Sequence, residues 1–289
     1  MKRNFTLKEG FLLGGGLIIV GLLLHLTVGP VEWEAFAWPV NGIVLAGFLA
    51  LIAAVYLLRK KVQAFLFLGS YKAAIPTLVY VVALTIVMGL TRQEPHGAWL
   101  SNMLSFWPFV LVYVLMAVIL GQVILRRLLN WSDWKRDIPF MLNHVGLFVA
   151  MTTATLGNAD MQRLKMITSV GEPEWRALDE RGMVKEMPLT IELKKFIMET
   201  YDDGSPRRYA SEIVIRTKKG ETLDKTVDVN KPAEVDGWKI YQYGYDTEMG
   251  AASTTSILEL VSDPWLPLVY GGIYMMLAGA LCLFFGIRK

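Results

Sequence analysis

The chain has 289 residues, 54% of them hydrophobic, and its mean hydropathy of +0.40 is too high for an ordinary soluble domain. Its single cysteine, Cys282, excludes a disulfide framework, a CxxC redox pair and a cysteine-based zinc site. The formal net charge is +3, but residues 158–263 carry 15 Lys plus Arg against 20 Asp plus Glu, which excludes a basic nucleic-acid surface there.

The first half of the chain contains five apolar segments, each long enough to cross a hydrocarbon core of about 30 Å at about 1.5 Å per residue. They lie at residues 11–29, 42–58, 73–90, 106–125 and 140–157, and a sixth follows at residues 265–287. The first is predicted to be an uncleaved anchor. Trp131, Trp134, Lys135 and Arg136 are predicted to form a short interfacial connector before the fifth.

Residues 158–263 have the period of two that is typical of β-strands. The alternating or β-branched stretches are 189–193, 211–216, 225–229, 238–243 and 256–261, and turn signals such as Asp236-Gly237 separate them. The pattern predicts an antiparallel sandwich or an open barrel. For residues 173–183 a short helix and a covering loop both remain open. The predicted organisation is helices 1–5 over 1–157, a mostly-β domain over 158–263, and the last helix with its tail over 264–289.

The orientation of this six-span model follows from the positions of its cations. One side carries 13 Lys and Arg, whereas the opposite short loops carry only Arg92. By the positive-inside rule, both termini are predicted to be cytoplasmic and the β domain extracytoplasmic, with membrane lipid around the helices.

His144 stands out because it is an imidazole inside the apolar segment 140–157. An ionisable side chain in hydrocarbon needs a hydrogen bond, a water-lined cavity or a metal, so the residue is either a functional site or a helix-to-helix hydrogen bond. At about four residues into the predicted helix, it is expected roughly 6 Å from the cytoplasmic end. Asn143 and Thr152 or Thr153 are the expected supporting donors, or else they bond between helices.

The other two histidines are weaker candidates. His25 lies near the outer end of the first span, where its ring is expected to reach headgroups or water, and His96 lies in an external loop. No GxSxG, Walker, GxGxxG, HExxH or CxxCH motif occurs, so the sequence supplies no candidate catalytic residue.

Four stretches resemble the ResB/CcsB family in order and spacing over residues 140–289. After His144 they are ADMQRLK at 159–165, VNKP at 229–232 with GWKIYQ at 237–242, and DPWLPLVY at 263–270. Two features depart from that family: five predicted spans ahead of the domain, where fewer are common, and DPW in place of DPG. The resemblance nonetheless implies a histidine-bearing span followed by an extracytoplasmic β domain.

Members of that family are membrane subunits of the System II cytochrome c synthase. The resemblance implies that His144 is an axial ligand to haem b in transit, and that the chain moves haem across the membrane for attachment to apocytochrome c CxxCH. It also implies a CcsA-like partner with a WWD segment. The chain would then be an accessory subunit that is not catalytic alone.

Two other classes of protein remain open. One is a transporter-like permease subunit, for which internal repeats and broken helices would be expected. The other is a structural or partner-binding membrane protein that handles no haem and in which His144 only packs against a neighbouring helix.

Overall fold

The computed structural model describes residues 5–94 and 97–285. These residues form two compact units. The helical unit comprises the described residues up to Asp160 and from Trp265 onward, and the β unit comprises Met161–Pro264.

The helical unit contains six long helices and one short helix among its described residues. The long helices are α1 (Leu7–Val28), α2 (Val40–Leu58), α4 (Tyr71–Leu90), α5 (Trp107–Leu128), α6 (Trp134–Gly157) and α7 (Leu266–Phe284), and the short one is α3 (Gln63–Leu68). Each long helix is apolar enough to cross a membrane, the α5 segment together with the 3-10 turn Trp99–Ser105 that precedes it. The prediction of six long apolar helices is confirmed.

Helices α6 and α7 pack closely because glycine replaces a side chain where they meet. A Cβ built on Gly146 would lie 2.6 Å from the Gly272 carbonyl oxygen, and a Cβ on Gly272 would lie 2.6 Å from the Gly146 carbonyl oxygen. Farther along α7, a Cβ on Gly279 would lie 2.4 Å from the Asn143 side-chain nitrogen. These small residues let the two backbones approach and hold the segment around His144 against α7.

Helix α6 begins six residues earlier than the sequence pattern predicts. The Asp133 carboxylate accepts a hydrogen bond from Lys135 N at 3.1 Å and caps the helix. Asp137 is fully buried and accepts hydrogen bonds from the backbone N–H groups of Ser132 at 2.8 Å and Asp133 at 3.0 Å. The prediction that Trp134, Lys135 and Arg136 form a connector is therefore wrong, because these two carboxylates start a helix over charged residues.

This earlier start also changes the position of His144 along its helix. His144 comes ten residues after Trp134, or about 15 Å along the axis at 1.5 Å per residue, rather than the roughly 6 Å that was predicted.

The other end of α6 is fixed by the Asp160 carboxylate. It accepts hydrogen bonds from Trp38 N (2.7 Å), Asn41 Nδ2 (2.7 Å) and Trp265 Nε1 (2.6 Å). Asn41 is fully buried and also donates to the Leu156 carbonyl. Residues preceding and opening α2, ending α6 and preceding α7 thus meet at one carboxylate.

The β unit is one antiparallel sheet of eight strands, which confirms the prediction of an antiparallel β domain. The strands are β1 (Gln162–Ser169), β2 (Pro173–Leu178), β3 (Val184–Thr200), β4 (Pro206–Thr217), β5 (Thr222–Asp228), β6 (Ala233–Val235), β7 (Trp238–Tyr245) and β8 (Thr255–Ser262). Their order across the sheet is β5-β4-β3-β2-β1-β8-β7-β6.

The sheet curves until strands that are distant in this order face each other. On β4, Ser211 Oγ contacts Gln242 Oε1 on β7 at 2.6 Å and Ser256 Oγ on β8 at 2.7 Å. All three side chains are buried beside apolar residues of the same core, among them Met166, Ile191, Ile213, Ile240 and Leu258. Because the buried hydroxyls and amide bond one another, they cost little to keep in that core.

Within residues 173–183, for which a short helix and a covering loop were left open, Pro173–Leu178 form strand β2 instead. Ala177 and Leu178 pair with Lys185 and Val184 of β3, and Ala177 is buried in the core. The Glu174 carboxylate accepts hydrogen bonds from the backbone N–H groups of Trp175 and Arg176, where the register with β3 shifts. This bulge interrupts the period of two, so the strand was not predicted.

Candidate functional site

The His144 ring is held in one tautomer by its own helix. Its Nδ1 lies 2.8 Å from the carbonyl oxygen of Phe140, one turn earlier on α6. A carbonyl oxygen only accepts hydrogen bonds, so Nδ1 carries the proton and donates. The Nε2 atom of the neutral ring is then left with its lone pair, which is the form in which imidazole binds a metal.

The Phe140 side chain also fixes the plane of this ring. The two rings are stacked, with centroids 3.8 Å apart and an angle of 17° between their planes. The guanidinium carbon of Arg127, in the last turn of α5, lies over the same Phe140 ring at 5.1 Å from its centroid. Arg127 in turn forms an ion pair with the buried Asp137 carboxylate.

The polar residues expected to support His144 do not contact its ring in the described hydrogen bonds. Asn143 Nδ2 donates to the Pro139 carbonyl at 2.8 Å, Thr152 Oγ1 to the Phe148 carbonyl at 2.7 Å, and Thr153 Oγ1 to the Val149 carbonyl at 2.7 Å. Each of these donors is therefore bonded within its own helix, four residues back. The support of the imidazole comes from Phe140 instead.

His25 and His144, the two histidines that the structure describes, lie on different helices, α1 and α6, against different aromatic rings. His25 lies in the last turn of α1, with its ring centroid 5.4 Å from that of Trp99 and 5.0 Å from that of Phe106. Its Nδ1 atom is buried and has no hydrogen-bond partner in the described part of the chain. His96 lies outside the described residues.

A protein-built metal centre is not seen in the described ranges 5–94 and 97–285. They contain no group of three or more His, Cys, Asp or Glu side chains that can hold a metal ion. An iron at His144 would therefore need further ligands from outside the described residues.

Three contributors to this site were not predicted from the sequence: Phe140, Arg127 and Asp137. The signal for Phe140 is its position four residues before His144, since residues at that spacing share one face of a helix. No comparable signal exists for Arg127, because its contact with the Phe140 ring depends on how α5 and α6 pack.

Comparisons with known proteins match this chain in part. The model of the ResB-like family matches residues 135–257. Two curated relatives, each named "Cytochrome c biogenesis protein CcsB", come from Prochlorococcus marinus strains NATL2A and NATL1A. Each is 29% identical over 102 residues, which is 35% of this chain and 23% of the relative. The chain thus covers about a quarter of the length of these relatives.

One solved structure, named "Cytochrome c Heme Lyase CcmF", aligns over 84% of this chain and 44% of its own length. The TM-score is 0.36 and the sequence identity 14%, which is too low for any conclusion about fold or activity.

The segment matched by the family model contains His144, its partner Phe140 and strands β1 to β7 completely, whereas His25 and Arg127 lie ahead of it. Residues 135–257 therefore match the ResB-like family, which confirms the resemblance carried by the sequence motifs between residues 159 and 242.

Proposed function

We propose that this chain is a ResB/CcsB-like subunit of a cytochrome c synthase and that it holds haem during its passage across the membrane. One observation carries the proposal: in the family-matched helix α6, the hydrogen bond from His144 Nδ1 to the Phe140 carbonyl leaves Nε2 free to bind iron. The named relatives support a role in cytochrome c biogenesis.

In this proposal haem b is the cargo rather than a resident cofactor. One imidazole binds one axial position of the iron, and the porphyrin fills the equatorial positions. A CcsA-like partner with a WWD segment would supply a second histidine and present the haem to the CxxCH thiols of apocytochrome c. This chain would act as an accessory subunit, since no catalytic residue is assigned to it.

The proposed placement is the inner membrane of a bacterium, with both termini in the cytoplasm and the β unit outside. The charge asymmetry of 13 cations against one supports this orientation. Under it, α6 runs outward from a charged first turn, so His144 lies about 15 Å from the cytoplasmic start of the helix.

Absorption spectroscopy of the complex, purified with and without this subunit, tests the proposed function. A Soret band that depends on the presence of the subunit is the expected result, and covalent attachment to a CxxCH peptide should need both this chain and its partner. A complex that carries the same haem without this subunit would contradict the proposal and would favour a permease or a structural protein.

A further inference from the structure

Arg127 lies over the Phe140 ring that stacks on the proposed haem ligand, His144, and its guanidinium has an unused hydrogen-bond donor. One terminal nitrogen of its guanidinium is ion-paired with Asp137 Oδ1, whereas Nε is buried and has no hydrogen-bond partner in the described part of the chain. Leaving a buried donor unpaired is unfavourable, because the group has lost its water without a replacement. A guanidinium has five N–H donors in a fork that matches a carboxylate.

The segment around this guanidinium carries more cations than carboxylates. Residues 126–137 contain four cations, Arg126, Arg127, Lys135 and Arg136, against two carboxylates, Asp133 and Asp137. Asp137 is already occupied, since it accepts two backbone N–H hydrogen bonds and also lies 3.6 Å from Arg136 Nε. An added carboxylate would therefore meet a net positive environment.

Among these cations, Arg127 is the one placed against the site. Its guanidinium carbon lies over the Phe140 ring that stacks on His144, and its side chain is only 26% exposed. Arg136, by contrast, is 61% exposed and donates to Ser132 Oγ at 2.8 Å. Partial burial strengthens a charge-assisted hydrogen bond because water competes less for both groups.

We propose that Arg127 binds a propionate carboxylate of the haem that His144 holds, so that the site recognises the acidic edge of the porphyrin as well as its iron. This inference rests on the proposed function. It gives the site two points of recognition from two helices, His144 on α6 for the metal and Arg127 on α5 for the carboxylate.

The test compares two porphyrins on the full-length protein in detergent: iron protoporphyrin IX and its dimethyl ester, in which both carboxylates are neutral. The wild type should bind the acid about tenfold to a hundredfold more tightly than the ester, as is typical for a hydrogen bond between charged groups. Arg127→Gln should remove most of this preference by weakening the acid alone. The neighbouring exposed Arg126→Gln is the matched control and should keep the preference.

Equal affinity of the wild type for acid and ester would overturn the inference, and this arm needs no protein variant. An equal loss of affinity for both porphyrins in Arg127→Gln would also overturn it, because that pattern indicates a general disruption of the site rather than the loss of a carboxylate contact. If Arg127→Gln does not fold, the double variant Arg127→Gln/Asp137→Asn neutralises both members of the ion pair and should likewise bind acid and ester alike; retention of the preference would contradict the inference.

The result for His144→Gly separates this inference from the function on which it rests. In one outcome, His144→Gly abolishes the spectral change on binding of both porphyrins, while the wild type binds acid and ester equally. That outcome would contradict only the role of Arg127. If the binding of neither porphyrin depends on His144, both the proposed haem site and this inference are contradicted.

Discussion

The indole Nε1 of Trp265 donates a hydrogen bond of 2.6 Å to Asp160 Oδ2. These two residues flank the β unit in the sequence and belong to two of the stretches that resemble the ResB/CcsB family. Trp265 also occupies the position where that family often has glycine, and it packs on Gly157, where a Cβ would lie 2.4 Å from the Trp265 Cβ. The departure from the motif thus supplies a hydrogen-bond donor to Asp160.

Replacing this donor should destabilise the helical unit. Trp265→Phe keeps a ring but removes the N–H, leaving Asp160 with Trp38 N and Asn41 Nδ2 as partners. We expect a loss of about 1.5 kcal/mol, the lower end for a hydrogen bond to a charged group, because Asp160 is only half-buried. Thermal unfolding in detergent measures it. The control is Trp131→Phe, whose exposed indole donates no hydrogen bond within the described residues, and an equal loss there would contradict this role of Trp265.

The β unit should lose stability in acid through Glu174. The Arg176 guanidinium holds the pKa of this carboxyl at about 2, against an ordinary value of 4.5, with burial opposing and the N–H groups of Arg176 and Trp175 assisting. Because the folded pKa is lowered, this stabilisation is fully present above pH 4.5 and is lost as the pH falls from 4.5 towards 2.

The size of that loss should be about 0.2–1 kcal/mol, since Arg176 is 57% exposed and water screens the pair. Circular dichroism of strand unfolding in the full-length protein at pH 6 and pH 3 measures it. Glu174→Gln should reduce the difference between the two pH values, whereas Glu180→Gln, in an exposed turn, should not. An unchanged difference in Glu174→Gln would contradict the assignment.

Phe140→Leu should weaken haem binding without abolishing it. The substitution removes the stacked ring but keeps the backbone carbonyl that fixes the tautomer of His144. A loss of about twofold to tenfold in affinity is expected, which corresponds to an aromatic pair worth about 0.5–1.5 kcal/mol. Porphyrin titration followed by absorbance gives the value.

Phe148→Leu, on the same helix, is the control, because Phe148 stacks on Phe48 instead. The role assigned to Phe140 would be wrong if both variants lost the same affinity.

How much of this structure follows from the sequence differs between its parts. The six helices and the paired strands β3, β4, β5, β7 and β8 are predictable, because apolar runs and alternation depend on burial alone. The start of α6 is not predictable, since it depends on the Asp133 and Asp137 carboxylates accepting hydrogen bonds from backbone N–H groups within a charged stretch.

The candidate site is likewise predictable from the sequence only in part. His144 is visible in the sequence because an imidazole in an apolar segment is costly. The direction of its Nδ1 proton depends on a rotamer that reaches Phe140, and the nearness of Arg127 depends on the packing of α5 against α6. Neither feature produces a periodic pattern in the sequence.

The orientation in the membrane is a separate prediction. A reporter fused after Lys289 should be active only in the cytoplasm, and one inserted at Gly204 only outside. Gly204 suits the insertion because it lies in the exposed turn of the β3–β4 hairpin, which Tyr201 N closes by donating to the Ser205 carbonyl at 2.9 Å. The reverse pattern of activities would overturn the proposed direction of haem movement.

The most direct test of the haem site is the absorbance of the complex that carries His144→Gly, recorded with and without added imidazole. Loss of the side chain leaves one axial position of the iron without its ligand, so haem occupancy should fall or the Soret band should shift, and imidazole should partly restore it. His25→Gly should give a near-normal spectrum, since its ring packs against Trp99 and Phe106. Unchanged haem content and synthase activity in folded His144→Gly protein, or an equal loss in both variants, would contradict the assignment of His144.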